Sequence, residues 1–251
     1  MKTATVILAT LVVVVALVPS GCGQKQFTIE NGKLLAGGDS NIPPFITVEG
    51  GKPVGYSVDL CGEMAKRMGL TSEIVPALFK NFVTDLNSGK FDIIGQPLAI
   101  SPEREKGIDL STPYFVINQA IFVPKGSPAK SEGDLAGKVV GVKAGTTAQG
   151  TAEGIKGVKQ VRAFDTHEIG IDALVKGQID AYIGYAQTTS IISEKTGKTV
   201  MAAEIGAPEP CGIGVKKGNT ELLDRVNEAL GEMKKDGTLD KLEEKWFGGG
   251  G

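Results

Sequence analysis

Short apolar runs alternate along this chain with segments whose apolar residues recur at intervals of three and four. The first pattern suits buried strands and the second suits one face of a helix. The runs predict strands over 33–37, 91–95, 139–143 and 179–183. The three-and-four spacing predicts helices over 57–69, 81–88, 166–176 and 220–235, with a shorter one ending at Trp246-Phe247. Ser57 reads as an N-cap, Asp59 as a first-turn acid, and Gly69, Gly89 and Gly177 as stops. In the helix over 220–235, Leu222, Leu223, Val226, Leu230 and Met233 share a face. Strands alternating with helices predict an α/β class with largely parallel sheets.

One stretch recurs: Leu86-x-x-Gly89-Lys90-Phe91-Asp92 is echoed by Leu174-x-x-Gly177-Gln178-Ile179-Asp180. Helix, stop and strand follow in the same order both times, so the chain reads as two halves built alike.

The N-terminus has a different grammar. Lys2 gives a short positive start, residues 3–18 form an apolar run, and Ser20-Gly21-Cys22 follows. Sixteen residues are short for a membrane span and suit an export signal. Gly21-Cys22-Gly23 looks like a lipobox with Cys22 as the lipidated residue, although Pro19 stands where that pattern prefers Leu. Residues 1–22 are therefore set apart from the fold, and a plain secretory signal is the alternative. A net charge of −2 gives no support to a nucleic-acid partner.

If Cys22 carries lipid, Cys61 and Cys211 remain, and an oxidising compartment permits their disulfide. Cys61 also shares a helical stripe with Met64, Ala65 and Met68, which suits a buried free thiol. The lone histidine, His167, offers no metal-ligand spacing and reads as exposed beside Thr166, so no metal and no cofactor are expected.

The chemistry concentrates in two segments. Ile100-Ser101-Pro102-Glu103-Arg104 places a guanidinium after a buried strand, and Gly145-Thr146-Thr147 offers N–H groups and hydroxyls at a turn. Arg pairs bidentately with a carboxylate and stays charged, while the turn adds neutral donors. Together they suit a small carboxylate.

Those segments, with residues 39–45, Val54-Gly55-Tyr56-Ser57-Val58-Asp59-Leu60, Ser111-Thr112-Pro113-Tyr114 and Lys245-Trp246-Phe247, closely resemble the family 3 extracellular solute-binding proteins, the amino-acid receptors of ABC importers. The resemblance runs from about Lys33 to Phe247 with the motifs in family order. It implies a two-lobed periplasmic-binding-protein-like fold, with two crossing strands between the lobes and the ligand in the cleft. Lobe one would comprise 27–116 plus 208–247, lobe two 117–207, and the glycines of 248–251 a tail. By the same resemblance Arg104 clamps the ligand carboxylate, Gln96-Pro97-Leu98-Ala99 is a loop around the polar head, and Thr146 and Thr147 donate from the opposite lobe. Phe79 would be an aromatic platform, Lys143 and Asp39 would meet the ligand side chain, and Ile42 replaces a frequent aromatic.

Two positions depart from the family. Tyr185 stands where an Asp usually holds the α-ammonium, and no acid occurs between Asp180 and Glu194. Ala99 stands where a Ser or Thr is common. A phenol cannot neutralise a buried cation, so the expected ligand is either a carboxylate without a standard α-ammonium or an amino acid whose positive charge falls to Asp39. The function expected is capture by lobe closure and delivery to an ABC permease, by an extracytoplasmic monomer whose tie to the membrane is the lipid at Cys22. ATP hydrolysis would belong to another subunit, since the chain has no GxxxxGK[ST]. The competing reading is a cyclohexadienyl-dehydratase-like enzyme on the same scaffold; the sequence shows no GxSxG, HExxH or acid pair, and a binding protein rather than an enzyme is expected.

Overall fold

The structure, a computed structural model, describes residues 26–248. The predicted signal segment with Cys22 lies outside them, as does the glycine tail beyond Gly248. The strands are β1 (Lys33–Gly38), β2 (Thr47–Glu49), β3 (Lys52–Val54), β4 (Thr71–Pro76), β5 (Ile93–Ala99), β6 (Ile108–Leu110), β7 (Phe115–Pro124), β8 (Val139–Lys143), β9 (Gln160–Phe164), β10 (Ala181–Tyr185) and β11 (Thr199–Lys216). The α-helices are α1 (Tyr56–Arg67), α2 (Phe82–Asn87), α3 (Pro102–Gly107), α4 (Thr147–Gly154), α5 (His167–Val175), α6 (Ala186–Thr196), α7 (Thr220–Lys235) and α8 (Thr238–Phe247).

One sheet runs β4-β1-β5-β11-β7-β10-β8-β9, with β6 added beside β11. Both ends are parallel, as the alternation of strand and helix predicts: β1 pairs with β4 and β5, and β8 with β9 and β10. The middle is antiparallel, because β11 runs against both β5 and β7, and β7 against β10. These two long strands carry the chain between the lobes, so the halves share one hydrogen-bonded sheet.

Each half buries its own core. One side gathers Leu34, Ile93, Leu60, Met64, Leu222, Val226 and Met233, with a neighbouring cluster around Phe82, Phe91 and Ile94. The other gathers Ile121, Val140, Val142, Ala152 and Ile183, backed by Phe122, Leu174 and Tyr182. Each fully buried Leu, Ile or Phe contributes about 1.5–3 kcal/mol. Cys61 and Cys211 are free and buried in the first core, and burial pushes both thiols up to about 12.

The sequence echo has one structural task. Gly89 donates to the Leu86 carbonyl and Gly177 to that of Leu174, both with the positive φ that glycine tolerates at a helix end. Asp92 Oδ2 then accepts from Leu35 N at 2.8 Å in β1, and Asp180 Oδ2 from Val139 N at 2.7 Å in β8. In each half a carboxylate after the stop pins the first parallel strand.

Two expectations fail. Ser57 does not cap α1; Gly55 is the N-cap, and Ser57 lies inside the helix, buried, with its hydroxyl unpartnered. Gln96-Pro97-Leu98-Ala99 is not a loop but the second half of β5, fully buried against β11. The second helix falls where it is expected, as Phe82–Asn87 between the caps Asn81 and Ser88, with a 3₁₀ turn over Phe79–Asn81 before it. Long-range pairing with β11 overrides the local signals in β5.

Candidate functional site

The parallel strands of each half end at the seam between the two cores, where an open α/β sheet presents its ligand crevice. β1 delivers Asp39 to this seam and β8 delivers Lys143 from the other side. Lys143 Nζ donates to Asp39 Oδ2 at 2.6 Å, and both side chains are almost wholly buried, at 2% and 6% exposure. Asp39 N donates to Gln96 Oε1 at 2.8 Å, which fixes the β5 amide beside the pair. The Phe79 ring lies beneath two cations, with Lys143 Nζ 5.2 Å and Arg104 Cζ 5.5 Å from its centroid. Such contacts contribute about 0.5–2 kcal/mol.

Arg104 is carried by α3. Ser101 caps this helix by accepting from Arg104 N, and Pro102 begins it. The guanidinium reaches back to the Ala99 carbonyl at 2.7 Å and across the seam to the Gly145 carbonyl at 3.3 Å. Among the described residues it makes no ion pair. Gly145 has φ +77°, and a Cβ there would lie 3.3 Å from Lys80 Cα across the seam. A side chain would be strained by its own backbone and crowded by the opposite lobe.

A second polar group lies around the start of α4. Thr147 donates to Glu209 Oε2 at 2.6 Å and lies 3.1 Å from the Tyr185 hydroxyl. A threonine has one proton to give, so Tyr185 is the donor in that second contact. Gln119 Nε2 donates to Glu209 Oε1 at 2.5 Å and to Thr147 Oγ1 at 3.3 Å. Burial pushes the Tyr185 phenol up, against the pull of Arg104 and Thr147.

The structure brings Ile42, Phe79, Gln96, Pro97, Lys143, Thr146 and Tyr185 onto one narrow cleft, joined by Phe45, Ile117, His167 and Thr188. Arg104 borders the adjoining opening beside Phe79 and Gly145. Thr146 turns its hydroxyl to the Lys143 carbonyl at 2.7 Å and closes the turn. Ala99 is buried and contributes its carbonyl, while Leu98 packs among Phe79, Phe82 and Phe91.

His167 is not exposed. It is 2% exposed at the start of α5, with Nδ1 3.0 Å from the Tyr182 hydroxyl and 3.4 Å from Thr189 Oγ1. Burial, with Lys143 adding to it, holds its pKa well below the ordinary 6.5. Asp39 is not a free acceptor either, because Lys143 already neutralises it. Gln119 and Glu209 are the residues that sequence reasoning missed. Their signal was available: both are polar side chains on strands expected to cross between lobes, where an exposed apolar or small residue would serve equally well.

The profile of the bacterial extracellular solute-binding proteins, family 3, matches residues 34–249. The chain is 35% identical over 224 residues to the L-cystine-binding protein TcyJ of Escherichia coli (strain K12), which covers 87% of this chain and 84% of the relative. An ancestral arginine-binding protein bound to arginine superposes with a TM-score of 0.82 at 38% identity, covering 86% of this chain and 98% of its own. The ancestral amino acid-binding protein AncCDT-1, a precursor of cyclohexadienyl dehydratase, gives 0.79 at 35% identity, covering 86% and 96%.

Proposed function

The chain belongs to the family 3 bacterial extracellular solute-binding proteins, and from that premise we propose that it is the extracytoplasmic receptor of an ABC importer for an amino acid whose side chain carries no net charge. The observation that carries this reading is the Lys143–Asp39 pair. A cationic ligand side chain would need Asp39 for itself and would place a second positive charge beside Lys143 in a site where neither can be solvated. L-Cystine, named for the E. coli relative, has a distal end whose ammonium is offset by its own carboxylate and so adds no net charge beside Lys143; it is thus favoured over arginine, named for the ancestral protein of similar fold.

Arg104 would clamp the α-carboxylate from lobe one, with the α4 N-terminus at Thr147 facing it from lobe two. Closure completes a shell that neither lobe has alone, so ligand draws the lobes together by preferring the closed state. The permease would then recognise that state. The relatives reported are binding proteins, which supports a receptor over the dehydratase alternative. A thermal-shift screen against L-amino acids tests the reading. A ligand at about 100 times its Kd adds roughly 2.7 kcal/mol, or a rise on the order of 5–10 °C for a protein of this size. A rise with cystine or another neutral amino acid is expected; a rise with arginine alone would sink the side-chain argument, and none with any amino acid would sink the receptor.

A further inference from the structure

The seam holds one cation and one anion that lack ionic partners. Arg104 spends its guanidinium on two backbone carbonyls, and Glu209 is bound solely by neutral donors, Thr147 and Gln119. Among the described residues neither enters a salt bridge. Both act electrostatically on the same two buried neighbours, Tyr185 and Cys211, so they share one neighbourhood. Lys143 and Asp39, in contrast, satisfy each other.

We infer that Glu209, on the crossing strand β11, is the acceptor for the ligand's α-ammonium, and that Arg104 and Glu209 together form a template for an amino-acid zwitterion. The inference rests on the receptor reading and names the recognition of the ligand's head group within it. Three further observations support it. Each oxygen of Glu209 receives one donor, which orients the carboxylate and leaves acceptor capacity on both oxygens. Gln119 is 3% exposed and its Oε1 is buried without a partner, an acceptor of the kind that a three-donor ammonium satisfies. Pairing between β7 and β11 shifts register between Ile205 and Glu209, so two extra residues bulge from β11 immediately before Glu209. Bulges re-aim side chains and recur beside functional sites. Tyr185 fits the same picture: by donating to Thr147 it holds the hydroxyl that orients Glu209, and it need not accept the ammonium itself.

The test is isothermal titration of matched pairs that differ in the α-ammonium alone: L-methionine with 4-(methylthio)butanoate and L-glutamine with glutaramate. The unaltered protein should prefer the amino acid of a pair about tenfold or more, since an ion pair within a desolvated site is involved. Glu209→Gln, which keeps the shape and an acceptor, should lose that preference by weakening the amino acid and sparing its deaminated partner. Glu209→Asp should retain part of it. Binding of the amino acid by the unaltered protein with no preference over its partner overturns the inference even if a variant fails to fold. So does a Glu209→Gln variant that weakens both members equally or neither. Failure of the unaltered protein to bind any L-amino acid overturns the receptor reading and this inference with it.

Discussion

Lys143 Nζ and Asp39 Oδ2 stand 2.6 Å apart, one from each lobe, and almost no water reaches either. The pair is a bolt across the seam and a filled socket at once. Removing the cation alone leaves Asp39 buried without a counter-charge, which costs about 3–5 kcal/mol. Lys143→Met is therefore expected to melt on the order of 10 °C lower than the parent at neutral pH. Arginine should restore part of the loss in the variant and add nothing to the parent; calorimetry with and without arginine reads both.

Arg104 is expected to carry the carboxylate. Arg104→Lys keeps a charge but loses the planar fork, and the shorter ammonium cannot span from Ala99 to Gly145 as the guanidinium does. Affinity for the best ligand should fall at least tenfold, and about a hundredfold or more in Arg104→Met, where the charge is gone. Equal titration curves for parent and Met variant would remove Arg104 from the site.

Gly145→Ala asks for an L-residue at φ +77° with its Cβ 3.3 Å from Lys80 Cα. The backbone cost is about 1–2 kcal/mol, and the contact falls on the lobe-to-lobe seam. Weaker ligand binding is expected, with a larger radius of gyration in solution scattering at saturating ligand. Unchanged values of both would show that the seam has slack there.

His167 gives a pH signature. Its folded pKa is well below 6.5 because it is buried beside the charge of Lys143, so below about pH 6.5 the unfolded chain binds a proton that the folded one refuses. Its contribution is complete above that pH and is lost as pH falls toward the folded value, by up to about 1.4 kcal/mol per unit. His167→Gln should flatten the denaturation midpoint against pH between about 6.5 and 5 relative to the parent. An unchanged slope would place the acid sensitivity elsewhere.

The regular parts of the fold were legible because local pattern and final packing agree in them. α7 and β8 fall on their predicted residues, and the Asp92 and Asp180 echo performs one task twice. Legibility stops where a partner distant in sequence decides the outcome. Gln96 to Ala99 were a loop by the family resemblance, yet they continue β5, and β11 pairs with Leu98 and Ala99 from more than 110 residues away. His167 follows a polar helix start, and its burial comes from Tyr182 and Thr189, which its own neighbours do not reveal. Lys143 and Asp39 were each expected to face the ligand, but that they would pair with each other depends on the closeness of the two lobes. Glu209 offered one sequence signal, a polar side chain on a crossing strand, but its partners Thr147 and Gln119 come from a helix and a strand far away in the chain.

The route of β11 back into the first half has a consequence for the order in which the molecule can be finished. Every buried residue of the second-half clusters lies between Ala120 and Ile205. The largest first-half cluster begins at Leu34 but needs Cys211, Ile213, Val215 and the α7–α8 residues through Leu242. As the chain emerges from its N-terminus, the half that begins later has all its parts first, while Leu34, Ile93 and Met64 must wait for the last strand and helices. Domains made during synthesis commonly fold first-come, first-served; here the sequence of completion is inverted, and the early segment stays a client of whatever shields apolar surface until the C-terminus arrives.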